Sequence, residues 1–163
     1  SIHKPHYIEN PRQTNSCFYP ERYGIVPPLF SRAILLPQHT GATLFISGTA
    51  SIVGHKSRHK NNIQAQVYET LQNLNTILLR ANMIIKKQTK YTDTLYFLNL
   101  NELFYRVYIR FPEHLQIVRN ILQQAGIRKA VYVRADICRT ELLLEIEASA
   151  SYFSRQSGNK KTD

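Results

Sequence analysis

The sequence contains few cysteines and no long apolar run. Its two cysteines, Cys17 and Cys138, are too few for the disulfide framework of a small secreted domain. No stretch reaches the roughly 18 consecutive apolar residues that indicate a membrane-spanning helix. The N-terminal residues SIHKPHYIENPRQ also lack the apolar core of a signal peptide. We therefore expect one domain of ordinary size, made of 163 residues, in the reducing environment of the cytoplasm.

Acidic residues are also scarce. The chain has 11 Asp and Glu against 21 Lys and Arg, which gives a net charge of +10. This excess indicates an anionic partner, which could be a nucleic acid, a membrane surface or a small carboxylate. Much of it lies in three segments that are typical of solvated loops or chain ends, namely 55–60, 84–90 and 154–163. A small anionic substrate is therefore favoured over a nucleic acid, and no membrane contact is expected.

Glycine and histidine patterns give no sign of a cofactor. The segment GTASIVG (48–54) lacks the glycine spacing of a phosphate-binding loop, so no nucleotide cofactor is expected. His55 and His59 have the i, i+4 spacing that can hold a metal on a helix, but Gly54 and the residues KNN place them in a loop. Because no third ligand stands out, a structural role for these histidines is favoured over a metal site.

Periodicity predicts an α+β domain with the element order ββαβαββ. It follows an extended N-terminal arm over residues 1–32, which is rich in Pro, Tyr and Arg, and precedes a disordered basic tail over 154–163. The predicted strands are 33–37, 42–48, 103–110, 129–135 and 141–150, and the predicted helices are 62–83 and 113–126. Gly126 is the expected stop of the second helix. Both helices should cover one face of a mixed sheet in the domain 33–153, which leaves the other face for a second subunit.

The last predicted strand raises a question, because its apolar run LLLEIEA (142–148) carries two carboxylates. In an extended strand Leu144 and Ile146 point to one face, whereas Glu145 and Glu147 point to the other. If the helices cover the leucine face, the carboxylates lie on the face away from them. Two interpretations stay open for that face. Either the face is simply exposed to solvent, or it forms a cleft in which burial and a neighbouring carboxylate raise the pKa of a general acid.

Six segments together resemble the C-terminal part of the chorismatases, enzymes that remove pyruvate from chorismate. They are ENPRQTNSCFYPERYG (9–24), FSRA (30–33), LFISGTASIVGH (44–55), AQVYETLQNL (65–74), VYIRFPEH (107–114) and RADICRTELLLEIEA (134–148). More distantly, the element order and EIEA (145–148) resemble the RidA/YjgF superfamily, small trimeric proteins that include enamine and imine deaminases. The fold of that superfamily is similar to AroH-type chorismate mutase. The resemblance implies the same fold and a homotrimer.

The resemblance also implies roles for individual residues. Glu145 matches the chorismatase general acid, which protonates the methylene carbon of the enolpyruvyl ether, and Glu147 is left a hydrogen-bonding role. Arg119 matches a ligand-binding position, and Arg128 matches the carboxylate-binding arginine of the deaminases. The other matches border or shape the pocket: Tyr19, Tyr23, Gly48, Ala50 and Cys138, the last at a position associated with product choice.

Without the family resemblance, ordinary structural roles stay open for several of these residues. Arg119 could be a solvated arginine on a helix face, and Tyr19 and Tyr23 could pack the N-terminal arm. Cys138 could be a small buried cysteine, since no base is evident beside it.

Three functions follow as hypotheses. The first is a chorismatase-like enzyme that releases pyruvate from chorismate and leaves a hydroxybenzoate or a dihydroxycyclohexadiene carboxylate. The second is a RidA-like imine deaminase in which Arg128 holds the substrate carboxylate and Glu145 places water. The third is a basic trimer without catalytic activity that binds RNA or a metabolite, as the endoribonuclease L-PSP label of this superfamily suggests.

Overall fold

A computed structural model describes residues 4–39, 41–88 and 98–153 of the chain. Within these ranges there are eight strands and two α-helices. The strands are β1 (His6–Ile8), β2 (Ala33–Gln38), β3 (Gly41–Thr49), β4 (Ile52–Val53), β5 (Lys56–Ser57), β6 (Phe104–Ile109), β7 (Ala130–Arg134) and β8 (Leu144–Phe153). The helices are α1 (Ile63–Gln88) and α2 (Leu115–Gln124). The predicted tail, 154–163, lies outside the described residues.

Six strands form one mixed sheet in the order β1-β2-β3-β8-β6-β7, and β4 and β5 form a separate small hairpin. Neighbouring strands of the sheet are antiparallel except for β6 and β7, which are parallel and joined by α2. A parallel pair requires such a crossover because its strands enter from the same end. The predicted α+β class and mixed sheet are confirmed, whereas β1, β4 and β5 were not predicted.

The core lies between the sheet and both helices. Helix α1 buries the predicted apolar stripe, which is Ile63, Val67, Leu71, Leu74, Ile77, Leu78 and Ala81. The helix continues to Gln88 rather than ending near residue 83, because Ile85 falls four residues after Ala81 on the same stripe and is buried as well. The basic segment 84–90 is therefore helical as far as residue 88, not a loop. In the described ranges no helix is both long and apolar enough to cross a membrane.

Helix α2 is shorter than predicted at both ends. A single 3₁₀ turn, Pro112–His114, follows β6, and the α-helix begins at Leu115. Val118, Ile121 and Leu122 form its buried face. The backbone of Gly126 has a φ of +85°, and its N–H donates to the carbonyl of Gln123 at 3.0 Å. This left-handed conformation favours glycine, so Gly126 ends the helix as predicted.

Strand β8 begins at Leu144, three residues later than predicted, and runs to Phe153. Before it, a turn is closed by a 3.0 Å hydrogen bond from the N–H of Leu142 to the carbonyl of Arg139. Strict alternation consequently fails for the first two leucines. Leu143 joins the main core, and Leu142 packs with Ala50, Ile52 and Ile137 in a second small cluster.

The sheet face away from the helices carries apolar side chains that are exposed in the single chain. Phe104 on β6 is 62% exposed and Phe45 on β3 is 49% exposed. Val131 and Val133 extend this apolar surface across the edge strand β7. The expectation of an uncovered second face agrees with these exposures.

Candidate functional site

Both carboxylates of the EIE motif lie on the sheet face away from the helices. In the register of β6 and β8, Glu145 stands opposite Tyr108 and Glu147 opposite Arg106. Ile146 between them is fully buried on the helix side. The parity argument is therefore confirmed for these residues, and it defines the sheet face on which the candidate site is built.

Glu145 sits in a partly buried environment. Burial raises the pKa of its carboxyl group, and the negative charge of Glu147 raises it further. Among the described residues, none forms a hydrogen bond with this carboxyl group. Its environment therefore favours the protonated form and leaves that proton free for a ligand.

Gly48 allows Glu145 to lie this close to β3. The pairing of β3 and β8 shifts in register between Ile46 and Thr49, and Gly48 falls inside the shift. A Cβ atom built on Gly48 would stand 2.7 Å from the carboxyl carbon of Glu145 and closer still to its Oε1. The absence of a side chain at Gly48 is thus what makes room for the carboxyl group.

Ala50 is a buried residue that follows β3. It is buried in the small cluster with Ile52, Ile137 and Leu142, against which Tyr108 packs. Its carbonyl accepts a 3.0 Å hydrogen bond from Asn73 on α1. The structure therefore places Ala50 in support of the site.

Glu147, unlike Glu145, is held by two donors. Arg106 donates from its Nη1 to Oε2 of Glu147 at 2.8 Å, and the hydroxyl of Tyr108 donates to the same oxygen at 2.9 Å. The two glutamates thus have opposite surroundings: Glu145 has no hydrogen-bond partner among the described residues, whereas Glu147 is in an ion pair. Such a division is typical of carboxylate pairs in which one group is an acid and the other stays charged.

A loop over residues 135–143 closes the site next to Glu145. It carries Cys138, whose pKa is raised by burial first and then by the negative charge of Glu145. That interaction places the thiol in the electrostatic neighbourhood of the carboxyl group. The side chain is nevertheless exposed, so the interpretation of Cys138 as a buried core cysteine is wrong.

Two polar side chains hold this loop from below. Arg110 at the end of β6 donates to the carbonyls of Leu142, Ile137 and Arg139 at 2.9, 2.6 and 3.1 Å. Gln66 on α1 is fully buried. It donates to the carbonyl of Glu141 at 2.9 Å and accepts from the N–H of Leu143 at 2.8 Å. The loop is fixed by these contacts and not by regular secondary structure.

The N-terminal arm stacks on the same loop through its tyrosines. The guanidinium of Arg139 lies 4.1 Å from the ring centroid of Tyr23 and 5.4 Å from that of Tyr19. The hydroxyl of Tyr23 donates to the carbonyl of His55 at 2.8 Å, and that of Tyr19 accepts from the buried Arg32 at 2.8 Å. Both tyrosines therefore pack the arm against the loop through Arg139, which directly follows Cys138 in sequence.

An open groove of about 860 Å³ continues along the sheet beyond Glu147. Its walls combine the aromatic rings of Phe45 and Phe104 with the cations Arg106, Arg128 and Lys129. Lys129 lies 4.9 Å from the ring centroid of Phe104. Arg128 therefore borders a wide cationic groove, whereas Glu145 is not among the residues that line it.

Arg119 lies elsewhere in the chain. Its guanidinium stacks on Tyr132 at 5.1 Å from the ring centroid, and Tyr132 packs against the core on the helix side of β7. The single chain does not bring Arg119 to the face that carries Glu145.

The two histidines considered for a metal have other partners. His55 lies beside Arg22 and Tyr23, and its pKa is lowered by desolvation and by the cations Arg22, Lys56 and Arg139. The Nε2 of His59 lies 3.2 Å from a carboxylate oxygen of Glu69. In the part of the chain that the structure describes, no group of three or more His, Cys, Asp or Glu is arranged to hold a metal.

Several residues of this site were missed by sequence reasoning. Arg106 and Tyr108 could have been found, because the same parity that selects Glu145 and Glu147 puts alternate residues of FYRVYI (104–109) on that face. Arg110, Arg139 and Gln66 carried no such signal, since their partners are tens of residues away in sequence.

Comparison with known proteins identifies the relatives. A 3-hydroxybenzoate synthase of Streptomyces hygroscopicus is 35% identical over 147 residues, which are 86% of this chain and 42% of that protein. A chorismatase of Streptomyces rapamycinicus is 34% identical over the same shares. A crystal structure of a chorismatase has a TM-score of 0.75 and 29% identity, covering 90% of this chain and 44% of that chain. The chain is related to the chorismatases.

It spans about two fifths of the length of these curated chorismatase relatives. A Rid-family protein of Yersinia pestis, YyfA, matches over its full length and 91% of this chain, with a TM-score of 0.60 and 18% identity. At that identity the likeness concerns the fold, and it confirms the predicted RidA/YjgF-like architecture. No family model matches the chain.

Proposed function

We propose that this chain is a chorismatase-like enzyme in which Glu145 protonates the methylene carbon of the enolpyruvyl ether of chorismate. The observation that carries the proposal is the Glu145 carboxyl group, which is partly buried, free of internal hydrogen bonds among the described residues and raised in pKa. A carboxyl group of raised pKa keeps its proton nearer to neutral pH, as a general acid must. The relation to chorismatases supplies the substrate class.

The reaction balances with water as the second reactant. Transfer of the proton from Glu145 forms a C–H bond and turns the enol ether into an oxocarbenium ion. Water adds to that carbon and returns a proton to Glu145, and the resulting hemiketal collapses to pyruvate and a dihydroxycyclohexadiene carboxylate. If a hydroxyl of the substrate captures the cation instead, a cyclic ketal forms. Loss of a ring proton with cleavage of one ring C–O bond then makes the ring aromatic, and the remaining hemiketal collapses to pyruvate and a hydroxybenzoate without any water being consumed.

The carboxylates of the substrate need cations, and the groove beyond Glu147 supplies candidates. Arg128 and Lys129 lie side by side at the start of β7, and both line the groove. A planar guanidinium can bind a carboxylate through two parallel hydrogen bonds. We assign Arg128 as the carboxylate anchor, with Tyr23, Gly48, Ala50 and Cys138 shaping the pocket around Glu145.

A second copy of the chain would complete the site. The groove is open in the single chain, and apolar side chains such as Phe45 and Phe104 are exposed along it. Arg119, which lies on the other side of the sheet, could reach a substrate only at a neighbouring subunit. We therefore include a homotrimer in the proposal, for which light scattering should give three times the mass of the 18.9 kDa chain.

The direct test is incubation of the folded chain with chorismate. Pyruvate release is followed by coupling to lactate dehydrogenase, and folding is checked by circular dichroism. Release that disappears in Arg128→Gln and survives in Arg80→Gln, an exposed arginine on α1, supports the proposal. Absence of release by folded wild-type chain at its native oligomeric mass overturns it.

A RidA-like imine deaminase is the second candidate, because Arg128 borders a cationic groove on the sheet face that also carries Glu145. In that case Arg128 would hold the carboxylate of the imine and Glu145 would place the attacking water. Hydrolysis of 2-aminoacrylate, generated in the assay from serine by a dehydratase, measures this activity. Faster decay than in the buffer control, combined with no pyruvate from chorismate, would favour the deaminase.

A further inference from the structure

The two glutamates of β8 have contrasting surroundings. They are two residues apart on the same face, so either could in principle carry the transferable proton. Two donors, Arg106 and Tyr108, contact Glu147, whereas no described residue hydrogen-bonds Glu145. Something in the structure therefore distinguishes two carboxyl groups that the sequence presents as equivalent.

The side chain of Tyr108 hydrogen-bonds a diagonal neighbour on β8 and not its direct cross-strand partner. In the strand register it stands directly opposite Glu145, yet its hydroxyl reaches diagonally to Oε2 of Glu147 at 2.9 Å. This contact draws the Glu147 carboxylate along β8 towards Glu145. Arg106, which stands directly opposite Glu147, binds the same oxygen at 2.8 Å. The negative charge of Glu147 is thus fixed between a cation on one side and Glu145 on the other.

We propose that Arg106 and Tyr108 are positioning residues that hold Glu147 as a fixed charge and so make Glu145 the carboxyl group that carries and delivers the proton. An ionised neighbour disfavours a second negative charge close to it. Arg106 and Tyr108 both donate to the Glu147 carboxylate, whereas no described residue donates to that of Glu145, so the cost of placing a second negative charge here falls on Glu145. This inference rests on the proposed function for its catalytic meaning, but not for its electrostatics.

The groups that face Glu145 are limited in the described residues. Glu147 lies on its own strand, Tyr108 and Arg106 lie on β6, and Cys138 lies in the loop over 135–143. From β3 it meets Gly48, which has no ionisable group. The sign of each perturbation can therefore be worked out. Removal of the Glu147 charge must ease ionisation of Glu145, and so must removal of Tyr108 or Arg106, which hold that charge beside it.

The experiment is a direct titration of Glu145 without substrate. Protein labelled with ¹³C at the glutamate carboxyl carbon is titrated by NMR, and the Glu145 signal is assigned by its loss in Glu145→Gln. Relative to wild type, the midpoint should move to lower pH in Glu147→Gln and, by a smaller amount, in Tyr108→Phe. It should also move to lower pH in Arg106→Gln and return towards the wild-type value in Arg106→Lys, which restores the charge.

Matched controls on the opposite side of the sheet are Glu113→Gln, Tyr68→Phe and Arg80→Gln, none of which should move the midpoint. An unchanged midpoint in both Glu147→Gln and Arg106→Gln, or a shift of Arg106→Gln to higher pH, overturns the inference. Variants that fail to fold are recognised by circular dichroism, and the lysine and phenylalanine variants then carry the test.

The pH profile of pyruvate release separates this inference from the proposed function. If Glu145 is the acid, release falls as it ionises, and the alkaline limb of each variant should move in the same direction as its titration midpoint. Correct titration shifts without pyruvate release would support the positioning and overturn the function. Pyruvate release with an unmoved titration would do the opposite.

Discussion

Replacement of Arg110 by methionine should show how the loop next to Glu145 is held. Methionine keeps an unbranched apolar stem like that of arginine but removes every donor. In the structure those donors serve the carbonyls of Leu142, Ile137 and Arg139 and one carboxylate oxygen of Asp136. The side chain of Arg110 is 13% exposed, whereas that of Asp136 is 96% exposed. The carbonyl contacts, and not the ion pair, should therefore carry the stability.

The expected magnitude follows from this difference in exposure. A buried polar group that loses its partner costs about 1–3 kcal/mol. The carbonyls of Leu142 and Ile137 lose this donor, whereas that of Arg139 keeps the N–H of Leu142, so we expect a total of about 3–5 kcal/mol. An exposed ion pair is worth about 0–1 kcal/mol. For a chain of this size, a loss of about 3–5 kcal/mol should lower the melting temperature by roughly 10 °C.

Thermal and urea unfolding of Arg110→Met and of the control Asp136→Asn measure this prediction. We expect a large loss of stability in the first variant and a change below about 1 kcal/mol in the second. Equal losses in the two variants would refute the reasoning, because they would place the energy in the ion pair. A loss below about 1 kcal/mol in Arg110→Met would refute it as well, since it would mean that water replaces the donors at no cost.

Three further outcomes are expected. Glu145→Gln should be more stable than wild type by about 1 kcal/mol at pH 8, with the gain vanishing below pH 4 in urea unfolding, because the raised pKa makes ionisation of Glu145 oppose folding as pH rises. Gly48→Val should displace the Glu145 carboxyl group and lower pyruvate release about 100-fold in a protein that remains folded; normal release would contradict the close approach. Gln66→Leu should cost about 2–3 kcal/mol in urea unfolding, against almost nothing for the exposed Gln72→Leu.

The parts of the fold that repeat locally were predictable from sequence. The stripe of α1 and the alternation of β8 from Leu144 onward depend on periods of 3.6 and 2, which the residue order displays directly. Errors occurred where a local pattern ends. Helix α1 continues past residue 83 because Ile85 still reaches the core, and β8 starts late because a turn at Arg139–Leu142 interrupts the alternation.

Only the residues marked by strand alternation or by the resemblance to chorismatases could be predicted as part of the candidate site. Parity placed Glu145 and Glu147 on one face, but it could not tell which of them is held by other groups. That distinction depends on Arg106 and Tyr108, which are 41 and 39 residues away from Glu147 in sequence. The contacts of Arg110 with the loop over 135–143 span 26 to 32 residues and those of Gln66 span 75 and 77, and no local pattern encodes them.

The most direct test of the central claim follows the proton itself. Chorismate is incubated with the folded chain in D₂O, and pyruvate is trapped at once as lactate by lactate dehydrogenase and NADH, so that its methyl group cannot exchange. If Glu145 protonates the methylene carbon, mass spectrometry should find one deuterium in the methyl group of the lactate. Glu145→Gln should give no product, and Glu147→Gln should still give deuterated product. Lactate without methyl deuterium, or equal release by Glu145→Gln, would contradict the account.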